Sequence, residues 1–155
     1  MFKQLLYFVI IIPMTFSTYI NKKYWTNCGN DTDHLQKIDI EYEPHVHRGE
    51  DLKLTLSGIL DKQITSGKIN YTIFFNRFPF FKGNIKLCSE LQCPLKKGNM
   101  NFNTSFEIPE KFPHGKFKIQ VIGIDQDNQE LFCVKIDFII DKNGYPVEPY
   151  TKNNF

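Results

Sequence analysis

The residues with the most definite chemistry in this chain are four cysteines, Cys28, Cys88, Cys93 and Cys133. An even count points either to two disulfides, for which three pairings are open, or to a metal site. Cys88-Ser-Glu-Leu-Gln-Cys93 is a short segment between two strand-like runs, so closing it on itself costs little chain entropy. That leaves Cys28 with Cys133, closing a loop of about a hundred residues, a bridge worth on the order of 4 to 5 kcal/mol in the chain-entropy model. Zinc is a poor alternative, because Cys-x-x-x-x-Cys stands without a second cysteine or histidine cluster. His45-x-His47 would set two imidazoles on one face of an extended segment, but no third ligand accompanies them. Asp125-Gln126-Asp127-Asn128-Gln129-Glu130 begins like a calcium loop, yet it lacks the glycine and the distal Glu of an EF-hand and reads as a hairpin turn. Ser57, Ser66, Ser89 and Ser105 fall in no nucleophile motif, and no Gly-x-Ser-x-Gly, His-Glu-x-x-His, P-loop or Gly-x-Gly-x-x-Gly is present. The residues themselves therefore mark no catalytic centre, and neither a cofactor nor a metal is expected.

The second kind of chemistry is apolar. Phe74-Phe75-Asn76-Arg77-Phe78-Pro79-Phe80-Phe81 carries five Phe in eight residues. Phe75 suits a core, whereas Phe78 and Phe80 flank a proline in what reads as a connection. An exposed aromatic connection suits contact with a membrane or a ligand. Pro94-Leu95-Lys96-Lys97 sets two lysines beside apolar residues, and each lysine is worth about 1 kcal/mol near an anionic bilayer.

The elements that must position these residues read as strands. The chain has 155 residues, enough for one domain with an ordinary core. Nineteen basic and 17 acidic side chains leave it near neutral, which gives no electrostatic case for nucleic acid as a partner. Alanine is absent, while 15 Phe and 7 Tyr accompany abundant Ile, Val and Thr, so an all-helical fold is disfavoured. Alternation recurs at Ile38–Tyr42, Leu52–Leu56, Lys68–Asn76, Ile85–Leu87, Phe102–Ile108, Phe117–Val121 and Phe132–Ile140. His47-Arg48-Gly49-Glu50 and the Asp125–Asn128 segment supply turns between them. Seven or so short strands predict an all-β sandwich. Residues 1–17 read as a secretory signal peptide: Lys3, the apolar run Leu5–Ile12, then Pro13 and small residues up to Ser17. Residues 18–140 form the expected domain, and 141–155 lose the apolar rhythm and read as a polar tail. Sequons at Asn30, Asn70 and Asn103 agree with that route and make these the candidate glycosylation sites. Asn70 and Asn103 sit on the polar side of their runs. That directs Ile69, Tyr71, Ile73, Phe75, Phe102 and Phe106 between the sheets.

The stretch Trp25-Thr26-Asn27-Cys28-Gly29, the turn His47–Leu52, the segment Cys88-x-x-x-x-Cys93-Pro94-Leu95-Lys96-Lys97-Gly98, and Pro113-x-Gly115-Lys116-Phe117 with Leu131-Phe132-Cys133 together resemble the ML lipid-recognition family. That family includes the Niemann–Pick type C sterol carrier and the phosphatidylglycerol/phosphatidylinositol transfer proteins. The resemblance runs from about Trp25 to Ile140. It implies the pairings Cys28–Cys133 and Cys88–Cys93. The animal sterol carriers add a third bridge near the first turn, where this chain has Tyr42-Glu43-Pro44-His45, so the phospholipid-transfer branch is the nearer likeness.

The resemblance also implies a seven-stranded immunoglobulin-like sandwich whose sheets splay apart around an apolar cavity. Its expected lining is Leu54, Leu56, Ile69, Tyr71, Ile73, Phe75, Phe102, Phe106, Phe117, Ile119, Val121, Phe132, Val134 and Ile136. The expected mouth and membrane contact is Arg77, Phe78, Phe80, Leu95, Lys96 and Lys97, with the lysine loop beside the aromatic one. The implied function is a monomeric carrier in the secretory pathway, extracellular or in the endosome or lysosome lumen. It would hold a phospholipid or sterol and touch membranes transiently. Two other readings are a lipid-presenting recognition subunit of a receptor and an adhesion module with a filled core.

Overall fold

A computed structural model describes residues 24–142; the expected leader, and the tail from residue 143 onward, lie outside the described residues. Among the described residues nine strands and one helical turn follow in order: β1 (Trp25–Asn27), β2 (Leu35–Tyr42), β3 (His45–Val46), β4 (Asp51–Leu60), β5 (Gly67–Phe75), β6 (Phe78–Lys86), α1 (Leu87–Glu90), β7 (Gly98–Glu107), β8 (Gly115–Asp125) and β9 (Glu130–Ile140). Seven of them have eight residues or more, and β1 and β3 are short additions. One sheet runs β1-β9-β8-β5-β6, with β3 added in parallel to β9; the other runs β2-β4-β7.

Period-2 alternation sets the faces. In β9 Phe132, Val134, Ile136, Phe138 and Ile140 are all buried. Across the ladders Phe117, Ile119 and Val121 of β8 face Phe138, Ile136 and Val134, and Phe75, Ile73 and Tyr71 of β5 continue the same rows. Both disulfides form, Cys28–Cys133 and Cys88–Cys93, and no cysteine among the described residues is free.

Two local readings of the sequence are corrected. Phe78, Pro79 and Phe80 are not in a connection. The turn is only Asn76-Arg77, both at positive φ (46° and 75°), and strand β6 starts at Phe78. A two-residue turn of this hand matches the twist of the flanking strands, so pairing resumes at once. Proline is tolerated there because β6 is an edge strand. The Cys88 segment is not a plain loop either, since its first half winds into α1, closed by the Leu91 N–H donating to the Leu87 carbonyl at 2.9 Å.

Candidate functional site

The two long sides of the sandwich are built differently. On one side β2 lies against β1 and β9. The Tyr42 hydroxyl there stands 2.5 Å from the Tyr24 carbonyl and 2.7 Å from the Asp137 carbonyl, tying the sheets together. Burial, and next the Asp137 carboxylate, push that phenol far above its usual range. On the other side stand β6 and β7, the edge strands of different sheets, which do not pair with each other.

Between these edges a cavity of about 290 Å³ reaches into the interior. Its wall takes Ile40 from β2, Leu54 and Leu56 from β4, and Ile69 and Tyr71 from β5. Ile119 and Val121 come from β8, and Phe132, Val134 and Ile136 from β9. At the edges it is lined by Ile85 of β6, Glu90 of α1, the adjoining Leu91, and Phe102, Thr104, Ser105 and Phe106 of β7. The wall is apolar apart from Tyr71, Glu90, Thr104 and Ser105.

Two glycines on the inner faces help to keep this space open. Tyr71 lies opposite Gly83 and Phe132 opposite Gly123. A Cβ on Gly83 would meet the Tyr71 ring, and one on Gly123 would lie 2.5 Å from the Phe132 ring. With no side chain beneath them, both rings lie down against the wall.

Of the fourteen residues expected to line a cavity, the structure sets eleven around this one. Ile73, Phe75 and Phe117 stand instead at the other end of the interior, packed with Val46, Leu52, Ile108, Phe112, Phe138 and Ile140. The reason is register: Ile73 is two residues along from Tyr71, where the aromatic rings of the hairpin end close the gap between the sheets. Phe117 stacks on Phe112 and Phe138 with centroids 5.7 and 5.4 Å away. Ile40, Ile85, Glu90, Leu91, Thr104 and Ser105 were not anticipated. Ile40 and Ile85 were legible as inward positions of their alternating runs. Glu90 carried no signal, because its place depends on the α1 turn.

None of the six expected mouth residues lines the cavity. Phe78 and Phe80 are 77% and 47% exposed on β6, joined by Phe81 at 51%. A bulge in the β5–β6 ladder sets Phe80 between the paired residues Pro79 and Phe81. It lets Phe80 pack edge-on against Phe112 at 5.2 Å while Phe81 reaches Tyr71 at 6.0 Å. Leu95 is not beside this hairpin, and neither are Lys96 and Lys97. Leu95 pairs with Ile64 at the opposite end of the sandwich, where α1 meets the β4–β5 connection. The length of β6, about 25 Å at strand rise, separates them. The hairpin and the lysine turn therefore flank the β6/β7 opening from its two ends.

The remaining chemical candidates have structural roles. Asp125, buried, accepts from the backbone N–H of Asp127 (2.8 Å) and of Gln129 (2.9 Å), and Lys62 Nζ lies 2.6 Å from its other oxygen. Burial alone would raise this carboxyl. The Lys62 ammonium and the two backbone donors outweigh it and hold the group below the usual carboxylate range. His34 Nδ1 is 2.9 Å from Asp61, and His45 Nδ1 is 2.9 Å from Asp141. No serine hydroxyl among the described residues is hydrogen-bonded to a histidine.

Residues 22–140 match the ML domain family. A Dictyostelium discoideum protein named "putative phosphatidylglycerol/phosphatidylinositol transfer protein 1" is 30% identical over 141 residues, covering 88% of this chain and 92% of that one. The Candida albicans phosphatidylglycerol/phosphatidylinositol transfer protein is 32% identical over 114 residues, 68% of this chain and 58% of its own. Among solved structures, a Niemann–Pick type C2 protein from the Japanese carpenter ant superposes with a TM-score of 0.57 at 16% identity, covering 76% of this chain and 98% of that one. Chicken MD-1 complexed with lipid IVa gives 0.57 at 15% identity, covering 73% and 85%. With the family match spanning every strand of the sandwich, the chain belongs to the ML domain family.

Proposed function

We propose that this protein binds a lipid in the cavity between its sheets and transfers it between membranes. The observation that carries the reading is the cavity: an apolar wall that reaches the surface along one unpaired edge of the sandwich. Each buried methylene of a tail is worth about 0.8 kcal/mol, so a tail of a dozen carbons supplies most of the binding without hydrogen bonds. At about 290 Å³ the space is at the small end of ligand sites, which suits one tail or one compact ring system. The ligand is then a phospholipid or a sterol, with its head at the β6/β7 opening. Relatives named for phosphatidylglycerol and phosphatidylinositol transfer support the same class of cargo.

Docking is assigned to the two features that flank the opening. Arg77, Phe78 and Phe80 would enter the interface at one end, and Lys96 and Lys97 would meet anionic headgroups at the other. The protein acts as a monomer that enters the secretory pathway, cleaved after the leader over residues 1–17 and carrying glycans on Asn30, Asn70 or Asn103. The outward, exposed positions of Asn30 and Asn103 leave room for a glycan. Native mass spectrometry of protein purified from a eukaryotic host, followed by solvent extraction, tests the reading. The expected result is a co-purifying lipid and partner-free transfer of fluorescent lipid between vesicles. A bound lipid without transfer would favour a presenting subunit, and a lipid-free protein that takes up none would favour an adhesion module.

A further inference from the structure

Glu90 is the only charged residue among those that line the cavity. Its side chain is exposed, while the backbone segment that carries it is fixed by its neighbours. Leu87 and Leu91 on either side are buried, the Cys88–Cys93 disulfide closes the segment around it, and Leu95 pairs with Ile64 just beyond. Glu90 has no salt-bridge or hydrogen-bond partner among the described residues. The nearest lysine along the chain, Lys86, is outward-facing and pairs across the strands with Lys68. The other polar lining groups, Tyr71, Thr104 and Ser105, carry hydroxyls. The Tyr71 phenol extends over Gly83, toward the same edge. Among the described residues, the opening is therefore framed by one acidic group and the hydroxyls of Tyr71 and Thr104, with no cationic group in its lining.

We propose that Glu90 selects the headgroup. It disfavours lipids whose head is a bare phosphate anion, and it favours heads that bring an ammonium or a neutral hydroxyl donor to the rim. This rests on the lipid-carrier reading and deepens it. The tail provides affinity through the apolar wall, and the rim discriminates. One unit charge about 6 Å away at a solvent-exposed mouth changes affinity roughly three- to tenfold. The basic docking features do not cancel this preference. They act on the vesicle surface before uptake, and none of them lines the cavity.

The test separates docking from selection by offering both heads on one surface. Donor vesicles contain phosphatidylcholine and phosphatidic acid with identical acyl chains in equal amounts, so surface attraction is common to both. After incubation and re-isolation of the protein, the ratio of the two bound lipids is read by mass spectrometry. Wild type is expected to carry phosphatidylcholine in excess, and Glu90→Gln to bring the ratio to about one by raising phosphatidic acid uptake. Glu90→Lys should invert it. An unchanged melting temperature would show that both variants keep the fold, as expected for an exposed side chain. Equal loading of the two lipids by wild type, or a ratio that Glu90→Gln and Glu90→Lys leave unmoved, overturns the role of Glu90 while the carrier reading stands. Failure of wild type to load either lipid overturns both.

Discussion

The two ends of the interior are made from the same inward rows of apolar residues, yet one is solid and the other hollow. At the hairpin end Ile73, Ile108, Phe117, Phe138 and Ile140 are at most 2% exposed, and Phe117 stacks on Phe138 of the next strand and on Phe112 of the β7–β8 connection. At the α1 end Leu54, Leu56, Tyr71, Phe102, Ile119 and Val121 point inward but remain only partly buried, because they face the cavity. A strand's apolar face thus specifies the interior without specifying whether it is full. Filling depends on what stands opposite. Phe112 and Phe80 close one end from outside the central rows, whereas Gly83 and Gly123 let rings lie flat at the other.

The largest expected effect tests the frame that holds both ends. Replacing Cys28 and Cys133 by Ala should cost about 4 to 5 kcal/mol, against about 2 kcal/mol for Cys88 and Cys93, whose loop is far shorter. Denaturant melts of the two double variants would settle the order, and equal losses would show that chain entropy is not what the bridges supply.

Truncation then separates solid from hollow. Ile73→Ala should cost about 3 kcal/mol, because it opens a void in a closed cluster, while Leu56→Ala should cost about 1 kcal/mol, because its side chain already borders one. Equal costs would mean that the hollow end is filled in solution. Val121→Phe turns the comparison round: it should leave stability within about 1 kcal/mol of wild type while abolishing lipid uptake, since the added ring occupies space the ligand needs.

A pH series examines the polar cap beneath the hollow end. Because the folded state holds the Asp125 carboxyl below its usual range, its contribution is complete above about pH 4 and is lost as pH falls through the lower folded value. Asp125→Asn should cost about 1 to 3 kcal/mol at pH 7 and remove that part of the acid dependence. A wild-type-minus-variant difference that stays flat from pH 6 down to pH 2 would contradict the assignment.

The smallest effect on stability is expected at the aromatic edge. Phe78→Ala should change the melt by less than about 0.5 kcal/mol yet slow transfer from vesicles. Phe80→Ala should cost more, about 1 kcal/mol, since its ring packs on Phe112. A large loss of stability in Phe78→Ala would show that this residue belongs to the core.

Local pattern was enough for much of this protein. Alternation in Phe132–Ile140 and Lys68–Asn76 marked strands and their inner faces, because side-chain direction in a strand has period two whatever the strand packs against. The short Cys88–Cys93 spacing made its pairing legible, because contour length alone favours local closure. Tertiary structure decided the rest. That Tyr71 borders a cavity while Ile73, two residues away on the same face, is sealed depends on Gly83, Gly123 and Phe112, which are distant in sequence. That Phe80 packs against Phe112 depends on a bulge against β5, and that Glu90 reaches the rim depends on a helical turn anchored by Leu87, Leu91 and a disulfide. Alternation tells a side chain which way to point; only the facing sheet determines whether anything is there to meet it.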